Sequence, residues 1–512
     1  MTSPGVFFPR LLFTVLFHVF FSRLLLAQLI SIKTVPIAQG DQFEIYPSHN
    51  LAMGGVSIAV PDTLLDPFRN PAKGARLAAA PRFFGSPTFY GVSNGAGGGR
   101  TLPLAAVTQA GSWYGGLSLA LQEVDASRPP VGVAVPIVAQ ARAAILPDVP
   151  DPAPDQGSHG NAYAFAMLGK VLAEPKLSLA GSVSWSRLTA VDGVDLLYPG
   201  SQAIHQLGHA ADFRVGMLKE WAGDRSLEAV ALHDRFGMTD DVTYLDSFWD
   251  PGTQRVRQRA RVEHELDRTN TWGLHLQYER PLGASGWRVG WLATGNLMSH
   301  PKIPNTEIMN IPRDPGRSHA YNLGVGFSRT NGPATFGIDA IYEPIWSATW
   351  AEAEAPTETA LGDTIPAGGK TVENHFRFSD AVFRMGVSRE LTVGSRPRAA
   401  LLQLGLAARS IHYRLDQYDR VQVSGRNQVE SWVEWTPTWG LTVRFPELEL
   451  RYSGRVTKGT GRPGVGVRAN GWALEDAGAV RAGSLLVAPS GPLTLDAVSV
   501  VTHQFSLSLP IR

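Results

Sequence analysis

The chain has no cysteine among its 512 residues. Disulfide staples, thiolate metal sites and cysteine nucleophiles are therefore excluded. It also lacks an excess of charge of either sign: 46 Lys and Arg stand against 45 Asp and Glu, a net charge of +1. A nucleic-acid binder usually carries a clear basic excess, so nucleic acid is not an expected partner. The 13 histidines are scattered and none stands at a metal-ligand spacing, so neither a metal nor another cofactor is indicated. No His-Glu-x-x-His helix or phosphate loop is evident, the one Gly-x-Ser-x-Gly string (Gly91 to Gly95) lies in a Gly-rich turn, and catalysis is not expected. A Ser and a His close together in a strand, such as His503 near Ser506, arise by chance in such a chain.

Long apolar runs are scarce. The only one lies at the N-terminus, where Leu11 to Phe21 follows Arg10 and is broken by Thr14 and His18 before Ser22, Arg23 and Leu24 to Ala27. About a dozen residues are too few for a helical span, which needs roughly 20. A charged start, a short apolar core and an Ala-Gln step read as a secretory signal peptide over residues 1–27. No later segment could cross a membrane as a helix, so any membrane residence must be through strands.

Alternation is abundant. Val501, Phe505, Leu507, Leu509 and Ile511 face one way, and Thr502, Gln504, Ser506, Ser508 and Arg512 the other, as in a strand with one apolar and one polar face. Trp435, Trp439, Leu441, Val443 and Phe445 alternate with Glu434, Thr436, Thr438, Thr442 and Arg444. After Pro446, Leu448, Leu450, Tyr452 and Val456 alternate with Glu447, Glu449, Arg451, Ser453 and Arg455. Phe213, Val215 and Met217 oppose Asp212, Arg214 and Gly216; Trp272, Leu274, Leu276 and Tyr278 oppose Gly273, His275, Gln277 and Glu279. Tight turns join such pairs, Asn331-Gly332 among them. A soluble sandwich would also alternate. The signal peptide, the strand lengths and aromatic residues near strand ends favour a membrane barrel instead.

The expected fold is all-β: a membrane-spanning antiparallel barrel of about 14 (14–16) strands over residues 81–512. Short turns alternate with long connections at 125–159, 192–209, 246–268, 301–318, 352–370, 417–427 and 458–493, the asymmetry of outer-membrane barrels. The lipid bilayer and the barrel-assembly machinery are then the expected partners. One stretch changes phase: Leu402, Leu404 and Leu406 are apolar at even positions, Ile411, Tyr413 and Leu415 at odd ones. A β-bulge near Arg409-Ser410 would switch the faces; alternatively the second part lies above the membrane. The inward charges read as a hydrated, salt-bridged interior, or as a selectivity device.

Residues 28–80 show little alternation and have no obvious place in a barrel wall, so the lumen is where they could go. Gly54 and Gly55 permit positive φ or close backbone approach. Pro71 holds Asn70 extended and suits a first helical position. Met53-Gly54-Gly55, a small apolar run, an Asp-containing turn and Asn70-Pro71-Ala72 resemble the N-terminal hatch of the FadL/TodX-type outer-membrane proteins, which include the PorV-like barrels. The motif covers about twenty residues. The resemblance implies a 14-stranded barrel with the N-terminal segment inside, and, in the transporter branch, entry of hydrophobic compounds or fatty acids from outside and exit through a wall opening. This chain departs from the pattern in ending Pro510-Ile511-Arg512, with Phe505 as the stand-in aromatic, and in continuing Lys73-Gly74-Ala75-Arg76-Leu77 after Ala72.

The connection at 125–159 is unusually apolar, with Val131, Val133, Val135, Ile137, Ile145 and Leu146. It reads either as a first capture site for a hydrophobic ligand or as a lid packed on neighbouring loops. Passive transport of hydrophobic compounds across the outer membrane is the leading function. A PorV-like anchor for secreted proteins and a purely structural barrel are the alternatives.

Overall fold

A computed structural model describes residues 34, 38, 42–78, 82–95, 97–125, 159–173, 176–192, 194, 203–250, 252–253, 255–299, 316–353, 355–392, 399–463 and 495–510. Residues 1–27, read as a signal peptide, and the apolar connection with Val131 to Leu146 lie outside the described residues.

Nineteen strands follow the N-terminal segment. They are β1 (Arg82–Gly85), β2 (Thr88–Val92), β3 (Gly98–Ala110), β4 (Trp113–Asp125), β5 (His159–Leu172), β6 (Leu177–Leu188), β7 (Ala203–Trp221), β8 (Arg225–Asp250), β9 (Arg255–Pro281) and β10 (Trp287–Ser299). The second half holds β11 (Gly316–Asn331), β12 (Ala334–Glu352), β13 (Thr357–Glu358), β14 (Thr364–Ile365), β15 (Lys370–Thr392), β16 (Ala399–Asp419), β17 (Ser424–Phe445), β18 (Leu448–Pro463) and β19 (Leu495–Pro510). β13 and β14 form a separate hairpin. β1 and β2 both lie between β19 and β3, so they are two pieces of one wall strand, interrupted at Ser86-Pro87. The wall therefore has 16 strands, every neighbour antiparallel, and the last strand pairs with the first.

This count corrects the 14 strands that the resemblance implies and falls at the top of the range read from alternation. One wall strand, β1 with β2, and the upper parts of four others hide where alternation fails. Pro87 has no N–H to donate and breaks the apolar pattern of residues 82–92. The connections expected at 246–268 and 417–427 are strand: β8 runs to Asp250, β9 starts at Arg255, β16 runs to Asp419 and β17 starts at Ser424. Outside a membrane both faces of such a hairpin meet water, so the period-two signal vanishes while the hydrogen-bond ladder continues.

The outer face is apolar. Leu117, Leu119 and Leu121 on β4 are 67–69% exposed, and Leu168, Val215, Leu323, Leu404 and Leu450 also point outward. A band this apolar on a closed wall faces lipid, not water. Trp113 and Trp221 stand near the short-turn end, Tyr321 and Trp346 toward the long-loop end, the places of interface girdles. The inner face is polar: Thr502, Gln504, Ser506 and Ser508 on β19, and Arg451 and Ser453 on β18, are buried. Glu447, read as a wall residue, sits in the turn between β17 and β18.

No bulge occurs near Arg409. The β15–β16 and β16–β17 registers are constant through residues 399–419. Even residues of β16 face out throughout: Leu402 and Leu404 are exposed apolar groups and Arg414 is an exposed charge. Odd residues face in, and Ile411, Tyr413 and Leu415 are buried. The phase changes because apolar residues move from the lipid face to the lumenal face as the strand leaves the membrane, which is the alternative reading of this stretch.

Candidate functional site

The N-terminal segment 42–78 bonds to inward side chains around the whole wall. Gln42 meets Gln122 of β4; Asn70 meets Glu228 of β8; Gln277 of β9, Ser328 of β11, Asp339 of β12, Gln403 of β16 and Thr438 of β17 all bond its backbone. A segment that touches inward groups on opposite sides of a closed wall lies across its lumen.

Met53, Gly54 and Gly55 sit against β15, β16 and β17. Leu51–Met53 makes one 3-10 turn, which ends at Gly54 with φ 73°. Gly54 N–H donates to Thr438 Oγ1 at 2.9 Å, and that hydroxyl donates to Ala52 O at 2.9 Å. A Cβ on Gly54 would lie 2.7 Å from Leu406 O and 2.8 Å from Met385 O, so only glycine fits.

The wall answers with glycines of its own. A Cβ on Gly386 or Gly405 would collide with the Met53–Gly54 backbone, one on Gly290 with Ile58 O, one on Gly326 with Ile58 Cβ at 2.5 Å, and one on Gly440 with Ala52 Cβ at 2.5 Å. These inward glycines make a flat seat for the segment. The alternation reading missed them as a set, although glycine inside a strand often marks close approach of another backbone.

Asn70, Pro71 and Ala72 sit against β4, β6, β7 and β8 near the short-turn end. Asn70 Oδ1 accepts from Ala72 N–H at 3.0 Å, capping the turn Pro71–Lys73. Its Nδ2 donates to Glu228 Oε2 at 2.9 Å and to Met217 O at 3.3 Å. Tyr114 OH donates toward Pro71 O and Ala72 O at 3.2 and 3.1 Å. Lys73 Nζ pairs with Glu228 Oε1 at 2.8 Å and Asp66 Oδ2 at 3.2 Å. Burial alone would lower the Lys73 pKa, but Asp66 and Glu228 outweigh it and hold the amine charged. Burial pushes Asp66 up to about 6 against the pull of Lys73. Tyr46 stacks on Phe68 at 3.8 Å, and Phe68 packs on Phe165 and Phe84 of the wall.

A second set of bonds holds the segment near the long-loop end. Gln42 Nε2 donates to Ala190 O at 2.8 Å and its Oε1 accepts from Asp192 N–H at 2.8 Å. Between the two ends, His49 accepts a hydrogen bond from Arg451 Nη2 at 2.6 Å; burial, then Arg451, pushes its pKa down to about 4. Asp62 gathers donors from Ser48 Oγ and from the N–H groups of His49, Leu64 and Leu65.

Above this seat, toward the long-loop end, the lumenal face turns apolar. Pairing aligns Ala320, Ile345, Phe378 and Tyr413 in one row across β11, β12, β15 and β16, with Phe376 and Leu415 in the next row. All six are buried to 2% exposure or less and form one cluster, with Met298 and Trp432 at its margin. Phe376 and Phe378 stack at 5.8 Å, and Tyr413 leans on both. Directly below lie Asn322, Glu343 and Asp380, again in one row. Sequence periodicity marked only its β16 part, as the phase change at Ile411, Tyr413 and Leu415, because its apolar residues stand where polar ones are expected.

At the same height the wall has two gaps in its pairing. The β11–β12 pairing skips Tyr321-Asn322 against Glu343-Pro344, where Pro344 has no N–H. The β15–β16 pairing skips Ser379-Asp380 against Ile411-His412, and the His412 N–H goes to Asp380 Oδ1 instead, at 3.0 Å. Outside these gaps the lipid face has a hollow of about 760 Å³, floored by Ala340, Ala381, Ala408 and Ser410 and walled by Leu323 and Phe383.

No protein-family model and no curated protein matches the sequence. Among solved structures the chain is similar to a bacterial polysaccharide outer membrane secretin, with 7% identity and a TM-score of 0.38 over 85% of this chain and 99% of that one. It is also similar to CdiB from Escherichia coli (11% identity, TM-score 0.41, 83% and 63%) and to a ferric enterobactin receptor from Pseudomonas aeruginosa (9%, 0.32, 84% and 80%). At these scores the likeness adds nothing to the fold, which rests on the chain's own closed ladder.

Proposed function

We propose that this protein is an outer-membrane barrel that passes hydrophobic compounds, with residues 42–78 as a plug that closes the straight route through the lumen. The observation that carries the reading is the buried apolar cluster of Phe376, Phe378, Tyr413 and Leu415 on the lumenal face above the plug. A lumen that only carries water has no use for such a surface. The unpaired wall at Pro344 and Asp380 and the lipid-side hollow beside it supply a sideways route from that cluster to the bilayer. A hydrophobe leaving by this route would never have to displace the plug.

The test uses intact cells carrying the full-length protein and a radiolabelled C12 alcohol. Cells with the protein should take up the alcohol faster than cells without it, and Phe378→Glu should abolish the difference. Equal uptake with and without the protein would remove the transport reading. The anchor reading remains the second one, and the double fastening of the plug at Gln42 and Asn70 favours it.

A further inference from the structure

The apolar lumenal patch above the plug is edged by polar groups, and several of their atoms have no partner among the described residues. Asp380 is fully buried. Its Oδ1 accepts from His412 N–H, but Oδ2 has no partner among the described residues. Its neighbour Glu343, also fully buried, is satisfied: Asn322 donates to Oε1 at 3.2 Å and Arg409 to Oε2 at 2.8 Å. Three further inward atoms around the apolar cluster lack partners among the described residues: Asn296 Oδ1, Ser318 Oγ and Ser347 Oγ, on residues at most 3% exposed. Buried polar atoms are almost always bonded, so four open atoms on one lumenal patch are places that a water or a ligand can fill.

We propose that this lumenal patch binds amphipathic amines, with an alkyl or aryl body on Phe376, Phe378 and Tyr413 and a protonated amino head on Asp380. The proposal rests on reading the patch as a hydrophobe site and names its ligand class. The open positions on Asp380 and Asn296 are acceptors, so the missing group is a donor. A primary ammonium carries three N–H donors and no acceptor. A hydroxyl offers one donor. A carboxylate offers none and would be set beside Glu343 and Asp380. Phe378 and Asp380 are two residues apart on one strand face, about 7 Å, which matches a head group joined directly to its apolar body.

Equilibrium binding tests this on the full mature chain in lipid nanodiscs, with empty nanodiscs subtracted, using dodecylamine, 1-dodecanol and dodecanoate. Dodecylamine should bind about tenfold or more tightly than either of the others, the scale of one charged hydrogen bond. Asp380→Asn should bring the amine down to the level of the alcohol, whereas Asp380→Glu should keep the preference. Unheated gel mobility checks that each variant is assembled. Alcohol binding without a preference for amine, or a preference that survives Asp380→Asn, overturns this proposal and leaves the hydrophobe site standing. If none of the three probes binds, the hydrophobe-site reading falls, and the amine proposal with it.

Discussion

Asn70 and Glu228, 158 residues apart, share a hydrogen bond of 2.9 Å between the plug and the wall, and the other oxygen of the same carboxylate takes Lys73 at 2.8 Å. One wall residue thus satisfies both a neutral and a charged group of the plug. Glu228→Ala leaves Lys73 with Asp66 only and Asn70 without its side-chain partner. Removing one member of a buried pair costs about 3–5 kcal/mol. The turn end of the plug should then release while the wall, held by its own ladder, assembles normally. Single-channel conductance in planar bilayers should rise from near zero to that of a wide pore, and an unchanged trace would show that this anchor is dispensable.

Gly405 and Gly386 offer a complementary test from the wall side. Gly405→Val puts carbon where the Met53–Gly54 backbone runs. Overpacking of this kind costs about 1–3 kcal/mol, borne by the docking of the plug. A cysteine at Ser57 should go from slow to fast labelling by a water-soluble maleimide when Gly405→Val is added. The same substitution at Gly91, whose outer side is open, should have no effect on labelling.

Acidity acts on the plug in two opposing ways. His49 has its pKa pushed from 6.5 to about 4. Its contribution to docking is whole above 6.5 and is lost as the pH falls through about 4. Asp66 is pushed from 3.8 up to about 6. Its contribution is whole below 3.8 and is lost as the pH rises through about 6. Asp66→Asn should therefore leave a plug that loosens only on acidification, and His49→Gln one that loosens only between pH 4 and pH 7. Conductance measured from pH 3.5 to 7.5 should show open probability changing by roughly tenfold or more in each variant, in opposite senses. Parallel pH profiles in the two variants would refute the assignment.

The seam gives a fourth expectation. β19 supplies the ladder to β18 on one side and to β1 and β2 on the other. In hydrocarbon each unpaired backbone group costs several kcal/mol, so deletion of residues 502–512 exposes edges on two neighbours. The truncated chain should lack the heat-modifiable band on gels and fail to reach the membrane. Normal amounts of that band would contradict the closure.

What could be read from the sequence was what repeats locally. Trp435 to Phe445 and Leu448 to Tyr452 alternate because one face meets lipid and the other water, and in the structure the odd residues of β17 and the even residues of β18 face out. Asn70 could be read as a local cap because its partner, Ala72, is two residues away. Glu228 could not, because nothing in its own strand distinguishes it from other inward carboxylates. Ile411, Tyr413 and Leu415 looked like a bulge because an apolar lumenal face breaks the rule on which the periodicity argument depends. The upper parts of β8 and β9 looked like a loop because water on both faces leaves a ladder with no apolar side.

Those upper parts make the described rim uneven. β9 begins at Arg255, yet β10 beside it pairs only from Asn270 onward. Fifteen residues of strand at about 3.3 Å each, tilted as in barrel walls, raise the hairpin roughly 35 Å above the rim on that side. Among the described residues this hairpin stands well above its neighbours β7 and β10 at the long-connection end. A cut at Gly252-Thr253, at its tip, would leave β8 and β9 paired along their length. The surface could be nicked there without opening the membrane beneath it.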